Sequence, residues 1–479
     1  MPAPILIRDA AWAVVWEASA RHHAYARGMD VLLEGGRIAA IARHDPDAPV
    51  PPGAEVVDGR RLLVMPGLVN IHTHPTTEPA ARGVREDHGV PEQQMTGLFE
   101  RLQAFRPGQA AAMRLAYAEL MSAGVTSVVD LSPPFPEWLG IMRESGLRVW
   151  AGPGYAAAHW GMSAPQTVTW MWNRENARTQ FEAAKRVMKE ADSDNSGRLH
   201  GIVFPAQIDT VEEDMLRESI AYAGETGRPF TTHIAQAVVE VREMIRRHGV
   251  TPIQWAASIG LLTPRSILGH AIFVDEHASI GWHTAKDVGL VADHGATVAH
   301  CPSPFARYGE HLKHFGRYRA RGVNMGFGTD CAPHNLIEEM RLAILLARNA
   351  VRDVAAADTG SVFHAATAGG AEALGRPDLG RIEKGAAADV VLVDLAHPLM
   401  SPPRDPLRAL VFHAADRAVK RVIVAGETVF ADGRPTRLDV TEAAGILAES
   451  QARMLRDARG RDYRGRSGDE IAPLALPLH

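Results

Sequence analysis

The sequence predicts an α/β protein built around a (β/α)8 barrel, with a small β-sandwich domain formed by both ends of the chain. Three observations lead to this prediction. Buried apolar strands alternate with amphipathic helices from residue 67 to about residue 375, and the segments on either side of this part are β-rich and full of turns. No glycine-rich phosphate loop follows the first of these strands, which disfavours an open doubly wound sheet.

The barrel prediction rests on eight strands. We place them at 67–72, 125–131, 147–152, 200–205, 229–234, 266–272, 296–300 and 323–329. Helices separate most of them, at about 108–123, 136–145, 174–191, 211–225, 236–248, 285–294 and 335–350. This regular alternation is typical of parallel strands connected by crossover helices.

The two chain ends are predicted to form one β-domain. The N-terminal segment has strands at 3–16 and 30–43, with a Gly35-Gly36 hairpin turn, and a strand pair at 54–65. Strand-like runs return at 388–394 and 419–426, and we infer that they pair with the N-terminal strands.

The resulting domain boundaries are 1–65, 66–384, 385–437 and 438–479. The last of these segments holds a predicted surface helix at 440–459 and a tail, rich in Arg, Gly and Pro, that we expect to be extended or poorly ordered.

Composition narrows the classes of function. The 479 residues carry a net charge of −5 without a basic cluster, so we expect no nucleic-acid or membrane partner. Two cysteines cannot form a disulfide framework, and Arg8 and Asp9 precede any long apolar run, which is unlike a secretory signal. We therefore expect a cytoplasmic protein.

The stretch that ends the first barrel strand, Pro66 to His74, contains His72 and His74. Residues i and i+2 of a strand point to the same face, so both imidazoles can reach one ion. A His-x-His pair alone is a weak signal, and its value depends on further ligands elsewhere in the chain.

Other predicted strands supply those ligands at their C-terminal ends. His233 ends strand five, His270 strand six and His300 strand seven, and Asp330 follows strand eight. All C-terminal strand ends of a barrel meet at one face. Imidazoles with a carboxylate suit a divalent transition ion that keeps a position for water.

These residues lie within motifs that resemble the amidohydrolase superfamily, in particular the branch of cytosine deaminase, guanine deaminase and the s-triazine hydrolases. The resemblance covers about residues 30–430. The matching segments are Pro66–His74, Arg82-Gly83, His233, Gly269-His270, His300-Cys301-Pro302, Gly328-Thr329-Asp330, Glu338–Arg341 and Gly380–Val390.

The resemblance implies a hydrolase of non-peptide carbon–nitrogen bonds. It assigns His72, His74, His233 and Asp330 to one divalent ion, Zn²⁺ first, with Fe²⁺, Mn²⁺ or Co²⁺ as alternatives. The ion would lower the pKa of a bound water, Asp330 would accept its proton, and His270 would polarise the substrate or orient the water. The expected assembly is a homodimer or larger homo-oligomer.

Two departures from the family pattern matter. No lysine stands at the end of strand four, within 203–207, which favours one metal ion over two. Deaminase-like relatives have His-x-x-Glu at strand five, where this chain has Gln236. A carboxamide does not titrate and cannot carry a proton to departing ammonia, although it can still bind substrate.

Several further residues are candidates for contact with the small-molecule substrate. They are Gln236, His300, Phe305, Arg307, His334 and Trp160. Trp160 belongs to the segment 155–172, which is too irregular for a helix and is expected to be a loop at the catalytic face, either a substrate lid or a packed surface loop. We expect His88, His159 and His283 to be ordinary solvated or core histidines, and Cys301 and Cys331 to be packed thiols.

Three functions remain open from the sequence. The first is deamination, or hydrolysis of an amide or carbamate, on a small planar nitrogen-containing substrate. The second is hydrolytic dehalogenation or C–S cleavage at the same site, which needs less protonation of the leaving group than ammonia does. The third is a non-catalytic scaffold, which the complete set of predicted ligands disfavours.

Overall fold

The computed structural model describes residues 2–76, 81–84, 106–164, 167–312, 315–331, 333–462 and 464–478. Its strands are β1 Ile5–Ala10, β2 Trp12–Glu17, β3 His22–Ala26, β4 Met29–Glu34, β5 Arg37–Arg43, β6 Glu55–Asp58, β7 Leu62–Pro66, β8 Leu68–Thr73, β9 Val125–Asp130, β10 Arg148–Ala151, β11 Ala158–Ala164, β12 Thr167–Trp172, β13 Leu199–Gly201, β14 Phe230–Ile234, β15 Ser266–His270, β16 Thr297–His300, β17 Asn324–Phe327, β18 Val390–Asp394, β19 Val419–Val424, β20 Glu427–Ala431 and β21 Arg434–Pro435.

The α-helices are α1 Arg106–Ser122, α2 Trp138–Ser145, α3 Arg174–Asp192, α4 Glu213–Thr226, α5 Val238–His248, α6 Pro252–Ser258, α7 Asp287–Asp293, α8 Pro302–Ala306, α9 Phe315–Ala320, α10 Leu336–Val351, α11 Thr359–His364, α12 Gly370–Ala373, α13 Pro406–Ala409, α14 Val440–Arg461 and α15 Gly468–Ile471. Wider π-helical turns span Ala365–Gly369 and Leu410–Ala414, and 3₁₀ turns span Val354–Ala356, Pro398–Met400 and Ala415–Ala418.

The β-sandwich consists of two sheets, and the larger one combines strands from both ends of the chain, as predicted. One sheet has the order β5-β4-β1-β6, and the other has the order β21-β20-β19-β18-β7-β2-β3. Strand β7 pairs antiparallel with β18, with Val64 opposite Leu392. Successive residues of a strand face opposite sides. Val64 therefore packs between the sheets, and Leu63 belongs to the large core shared with the barrel helices.

The barrel is one sheet of eight parallel strands in the order β13-β10-β9-β8-β17-β16-β15-β14. Parallel bridges between Val203 and Phe230 and between Gln207 and His233 connect its two edges. The closed sheet brings the C-terminal ends of β8, β14, β15 and β17 to one rim, which confirms the predicted architecture.

The segment from 155 to 172 differs from the predicted loop. It forms an antiparallel hairpin of β11 and β12, with Trp160 opposite Trp170. Alternating Thr, Val and Trp residues in β12 favour strand structure, and cross-strand aromatic pairs stabilise a hairpin. The prediction was wrong about the local structure because the pairing partner of each half lies within the same short segment.

The C-terminal tail also differs from the prediction. It contains helix α15, whose Ile471 is buried with Ala472 against Met454 and Ala458 of α14. The prediction of an extended tail gave too much weight to its Arg, Gly and Pro content and too little to these apolar residues. Within the described part of the chain, no helix is long and apolar enough to cross a bilayer.

Candidate active site

Five polar side chains converge at the C-terminal rim of the barrel. They are His72 and His74 from β8 and the residue after it, His233 from β14, His270 from β15 and Asp330 after β17. Ligand atoms of His72, His233, His270 and Asp330 all lie within 4.8 Å of one another. His74 joins the group, since its Nε2 is 3.2 Å from His233 Nε2 and 3.4 Å from Asp330 Oδ1.

The hydrogen bonds of two of these imidazoles fix their tautomers. His233 Nδ1 faces the carbonyl oxygen of Ala206 at 2.5 Å, and His74 Nδ1 faces that of Leu131 at 3.3 Å. A carbonyl oxygen only accepts, so both Nδ1 atoms carry the hydrogen and both Nε2 atoms present lone pairs. These lone pairs face each other beside the carboxylate of Asp330, an arrangement that a cation between them stabilises.

The burial of the cluster supports the same interpretation. Both ring nitrogens of His72 are buried without a hydrogen-bond partner among the described residues. Burial lowers the pKa of His72 and His74 to about 3 and that of His233 to about 4, so all three are neutral at physiological pH. Neutral imidazoles gathered around one carboxylate fit a divalent transition metal ion.

Two glycines make room for His72. A Cβ atom on Gly269 would lie 2.8 Å from His72 Cε1, and one on Gly328 would lie 2.7 Å from His72 Cβ. Both distances are shorter than side chains tolerate. The glycines of the Gly-His and Gly-Thr-Asp motifs therefore have a steric role, because they let strands β15 and β17 approach the imidazole.

The backbone of Asp330 holds its carboxylate at the cluster. Its N–H donates to His72 O at 2.9 Å, and its carbonyl accepts from His74 N at 2.7 Å. Its φ of +54° lies in the left-handed region, which costs about 1 kcal/mol or more for a residue with a side chain. Asn70 stabilises this turn, since its Nδ2 donates to Thr329 Oγ1 at 2.8 Å.

A cavity of about 440 Å³ opens onto the cluster. Its lining is mostly apolar and aromatic, with amide and hydroxyl groups between. The lining residues are His74, Leu131, Pro133, Gly154, Tyr155, Ala156, Ala158, His159, Trp160, Gln180, Phe204, Ala206, Gln207, Thr210, His233, Gln236, Pro304, Phe305, Tyr308, Asp330 and Cys331. Among the described lining residues, Asp330 is the only carboxylate, and none is a lysine or an arginine.

Gln236 lines this cavity from the turn between β14 and α5. Its backbone N–H donates to Glu240 Oε2 at 2.9 Å, and the N–H of Ala235 donates to Glu240 Oε1 at 2.6 Å. Burial, followed by the charge of Asp209, raises the pKa of Glu240 to about 8. Glu240 therefore fixes the turn that carries Gln236.

The predicted substrate contacts divide into two groups. Gln236, Phe305 and Trp160 line the cavity, and the Phe305 ring packs edge-on against His270, with centroids 4.5 Å apart. The other three do not line it. His300 is buried near Phe315 and Phe327, Arg307 is exposed on the loop after α8, and His334 is buried with its Nδ1 3.2 Å from both Thr73 and Thr329 hydroxyls.

The structure also shows where two other histidines and Cys331 lie relative to the cavity. His159, expected to be an ordinary histidine, is exposed but lines the cavity, and Cys331 lines it too. His283 is exposed beside Trp282, with ring centroids 4.5 Å apart. His88 lies outside the described residues.

Sequence reasoning missed three polar residues near the substrate. Gln180 and Gln207 line the cavity, and Asp209 is buried directly behind its wall. Gln207 and Asp209 follow the fourth strand, where the lack of a lysine was noted but the polar residues were not weighed. Their position at a strand end of the barrel was the available signal.

The sequence is similar to known proteins over most of its length. A sequence model of the amidohydrolase family matches residues 63–429. The chain is 30% identical over 426 residues to 5-methylthioadenosine/S-adenosylhomocysteine deaminase of Natronomonas pharaonis, covering 86% of this chain and 91% of the relative. It is 31% identical over 408 residues to the protein of the same name from Halobacterium salinarum, covering 84% and 88%.

Solved structures share the fold. An adenosine deaminase from Xanthomonas campestris with bound zinc superposes with a TM-score of 0.79 at 24% identity, over 95% of this chain and 99% of that one. Atrazine chlorohydrolase from Arthrobacter aurescens complexed with zinc gives a TM-score of 0.78 at 21% identity, over 93% of this chain and 100% of that one.

Proposed function

This chain belongs to the amidohydrolase family and is a hydrolase of carbon–nitrogen bonds other than peptide bonds, and we propose that its substrate is a small, planar, uncharged nitrogen heterocycle that it deaminates or cleaves at an amide or carbamate. The observation that carries the proposal is the convergence of imidazole lone pairs and the Asp330 carboxylate at the base of a cavity with an otherwise uncharged described lining.

We assign His72, His74, His233 and Asp330 as the ligands of one divalent ion, with Zn²⁺ as the first choice. The bound ion would supply Lewis acidity and lower the pKa of a coordinated water. Zinc accompanies two proteins that share the fold, the adenosine deaminase and the atrazine chlorohydrolase. The donor set of this chain, three neutral imidazoles and one carboxylate, has the composition that such an ion accepts.

Two residues are placed to move protons. Asp330 is the one carboxylate among the described lining residues and serves as the proton acceptor. His270 Nε2 lies 3.8 Å from Asp330 Oδ2, and burial next to other imidazoles holds the pKa of His270 well below its usual value. A neutral His270 can polarise a substrate atom by donating one N–H, and it can exchange a proton with Asp330.

Gln236 is assigned to substrate binding. Its side chain lines the cavity and cannot titrate, so it donates and accepts hydrogen bonds without carrying a proton. Phe305 and Trp160 supply flat apolar surfaces against which a planar ring can stack. The relatives named deaminases of adenosine derivatives make aminopurines and their nucleosides the first substrates to assay.

Gln236 also supports a second candidate, hydrolytic dehalogenation or C–S cleavage. Halide and thiolate leave as anions, so they need no proton from the position that Gln236 occupies. Atrazine chlorohydrolase, which shares the fold, is named for the displacement of chloride. A non-catalytic scaffold is the third candidate, and it gives no reason for buried lone pairs to face one another.

The test is an assay of the zinc-loaded protein over heterocyclic amines and their chloro analogues, with ammonia and chloride release measured in parallel. Ammonia release supports the first candidate, and chloride release without ammonia supports the second. A metal content below about half an equivalent after purification would contradict both, since such sites hold their ion tightly.

The Gln236→Glu variant sharpens this test. If the wild type is a deaminase that obtains its proton from His270 or Asp330, the added carboxyl group raises ammonia release on the same substrate. If all activity is lost while the metal content is unchanged, the amide is needed for substrate binding. Gln109→Glu, at a half-buried glutamine near the start of α1 that does not line the cavity, is the matched control.

A further inference from the structure

The buried carboxylate of Asp209 lies outside the metal cluster and connects the β11–β12 hairpin to the loop after β13. Its Oδ2 accepts from Trp160 Nε1 at 2.8 Å and from Trp170 Nε1 at 2.7 Å. Its Oδ1 accepts from Gln207 Nε2 at 2.7 Å. One carboxylate on the loop after β13 therefore holds both strands of the β11–β12 hairpin.

Arg247 of α5 packs against the same hairpin on the side away from the cavity. Its guanidinium carbon lies 5.2 Å from the ring centroids of both Trp170 and Trp172, and its Nη1 donates to the carbonyl oxygen of Asp209 at 2.7 Å. Glu243 holds this guanidinium through a 2.6 Å hydrogen bond from its Nε. The hairpin is thus joined to the helix that begins directly after Gln236.

Asp209 is fully buried, and burial raises its pKa. Burying a carboxylate is costly, and its three side-chain donors here are neutral. Apolar packing alone could attach a hairpin to a barrel at lower cost. A carboxylate also fixes the orientation of the donor side chains, because each of its hydrogen bonds is directional.

Two of the side chains that Asp209 orients face the cavity. Trp160 and Gln207 both line the cavity. The amide group of Gln207 is planar, and its nitrogen points to Asp209, so its Oε1 is the polar atom left for the cavity. With the Asp209 carboxylate in place, the opposite orientation would set two oxygens against each other.

We propose that Asp209 is a positioning residue that sets substrate specificity: it holds the Trp160 indole as a flat wall and turns the Gln207 carbonyl oxygen towards the substrate. The cavity then selects heterocycles that present an N–H or O–H donor to Gln207. This inference rests on the proposed function, since it concerns the same cavity.

The test is Asp209→Asn in the zinc-loaded, full-length protein. The amide oxygen of Asn can accept from the two indoles, and its NH₂ group then faces Gln207, so the Gln207 amide loses the acceptor that turns its carbonyl oxygen towards the cavity. We expect unchanged metal content, a kcat within about threefold of wild type, and a KM raised about 5–100-fold, the range for a buried substrate donor left without its acceptor. The probe is the heterocyclic amine with the highest kcat/KM in the ammonia-release panel.

The matched control is Asp275→Asn. Asp275 is equally buried and accepts hydrogen bonds from Thr284 Oγ1 and the backbone N–H of Lys286, but it does not line or border the cavity. It should lose stability without a change in KM. Equal KM values for the Asp209→Asn variant and the wild type would overturn the proposal, as would equal increases in KM for both variants.

A second readout does not depend on turnover. In ¹⁵N-tryptophan-labelled protein, the indole N–H resonances of Trp160 and Trp170, assigned with Trp→Phe variants, should shift in Asp209→Asn and stay in place in Asp275→Asn. If no heterocycle is hydrolysed, the proposed function fails and adenine is titrated as a ligand. The Trp160 resonance should then respond to adenine in the wild type and at least tenfold more weakly in Asp209→Asn, and equal responses would overturn the proposal.

Discussion

The two ends of the cavity are built in different ways. At the metal end, every assigned ligand lies within a barrel strand or at most three residues after one, so the barrel strands place them all at one rim. At the substrate end, the wall includes the β11–β12 hairpin and the loop after β13, which Asp209 joins through Trp160 and Gln207. The barrel fold sets the metal end, whereas side-chain hydrogen bonds set the substrate end. Substitutions can therefore alter the substrate end without altering the metal ligands.

The largest expected effect follows from removing a ligand at the metal end. His233→Ala should lower both metal content and kcat by at least about 100-fold, more than the loss of an outer-shell partner costs. The measurements are elemental analysis and steady-state kinetics. His283→Ala, at an exposed histidine away from the cavity, should retain both. Full metal occupancy in His233→Ala would contradict the ligand assignment.

A smaller effect is expected at the substrate end. Phe305→Leu keeps an apolar side chain but loses the ring, so kcat/KM should fall roughly 3–10-fold, the value of one aromatic contact, at constant metal content. Phe315→Leu is the control, because Phe315 is buried near His300 and does not line the cavity. If Phe305→Leu lost its metal, the two ends would not be independent.

The smallest effect concerns stability and not activity. Burial raises the pKa of Glu339 to about 8, and its Oε2 accepts from Ser303 N at 2.9 Å, which fixes the short helix α8 that carries Phe305. Between pH 4.5 and pH 8, the unfolded chain releases this proton while the folded protein keeps it. Stability therefore falls as pH rises through this window, by up to about 1.4 kcal/mol per pH unit.

Glu339→Gln removes this dependence without a change in shape. In metal-free protein, urea unfolding at several pH values from 5 to 8 should show the variant gaining stability relative to wild type as pH rises. For Glu338→Gln, at the more exposed neighbouring residue, the free energy of unfolding should change with pH as it does in the wild type. A constant difference between Glu339→Gln and wild type would show that Glu339 is ionised across this range.

The contrast between the two ends also explains what the sequence could predict. Strand periodicity located the barrel strands to within a few residues, and parallel strands share one rim, so the meeting of His72, His233 and Asp330 could be anticipated. The hydrogen bonds from Trp160 and Trp170 to Asp209 could not, because these three residues meet only through tertiary packing. No local pattern announces that contact, and Gln236 was identified only because it departs from a family motif.

The pairing of β7 with β18 has a consequence for the order in which the molecule is made. Their partners, such as Val64 and Leu392, are more than three hundred residues apart in the chain. At roughly 5–20 residues per second, a ribosome needs at least about 15 s between them. During that time β7 has β2 as a neighbour but lacks β18, while the barrel is synthesised. The larger sheet of the sandwich is therefore completed only after all eight strands of the barrel have been synthesised.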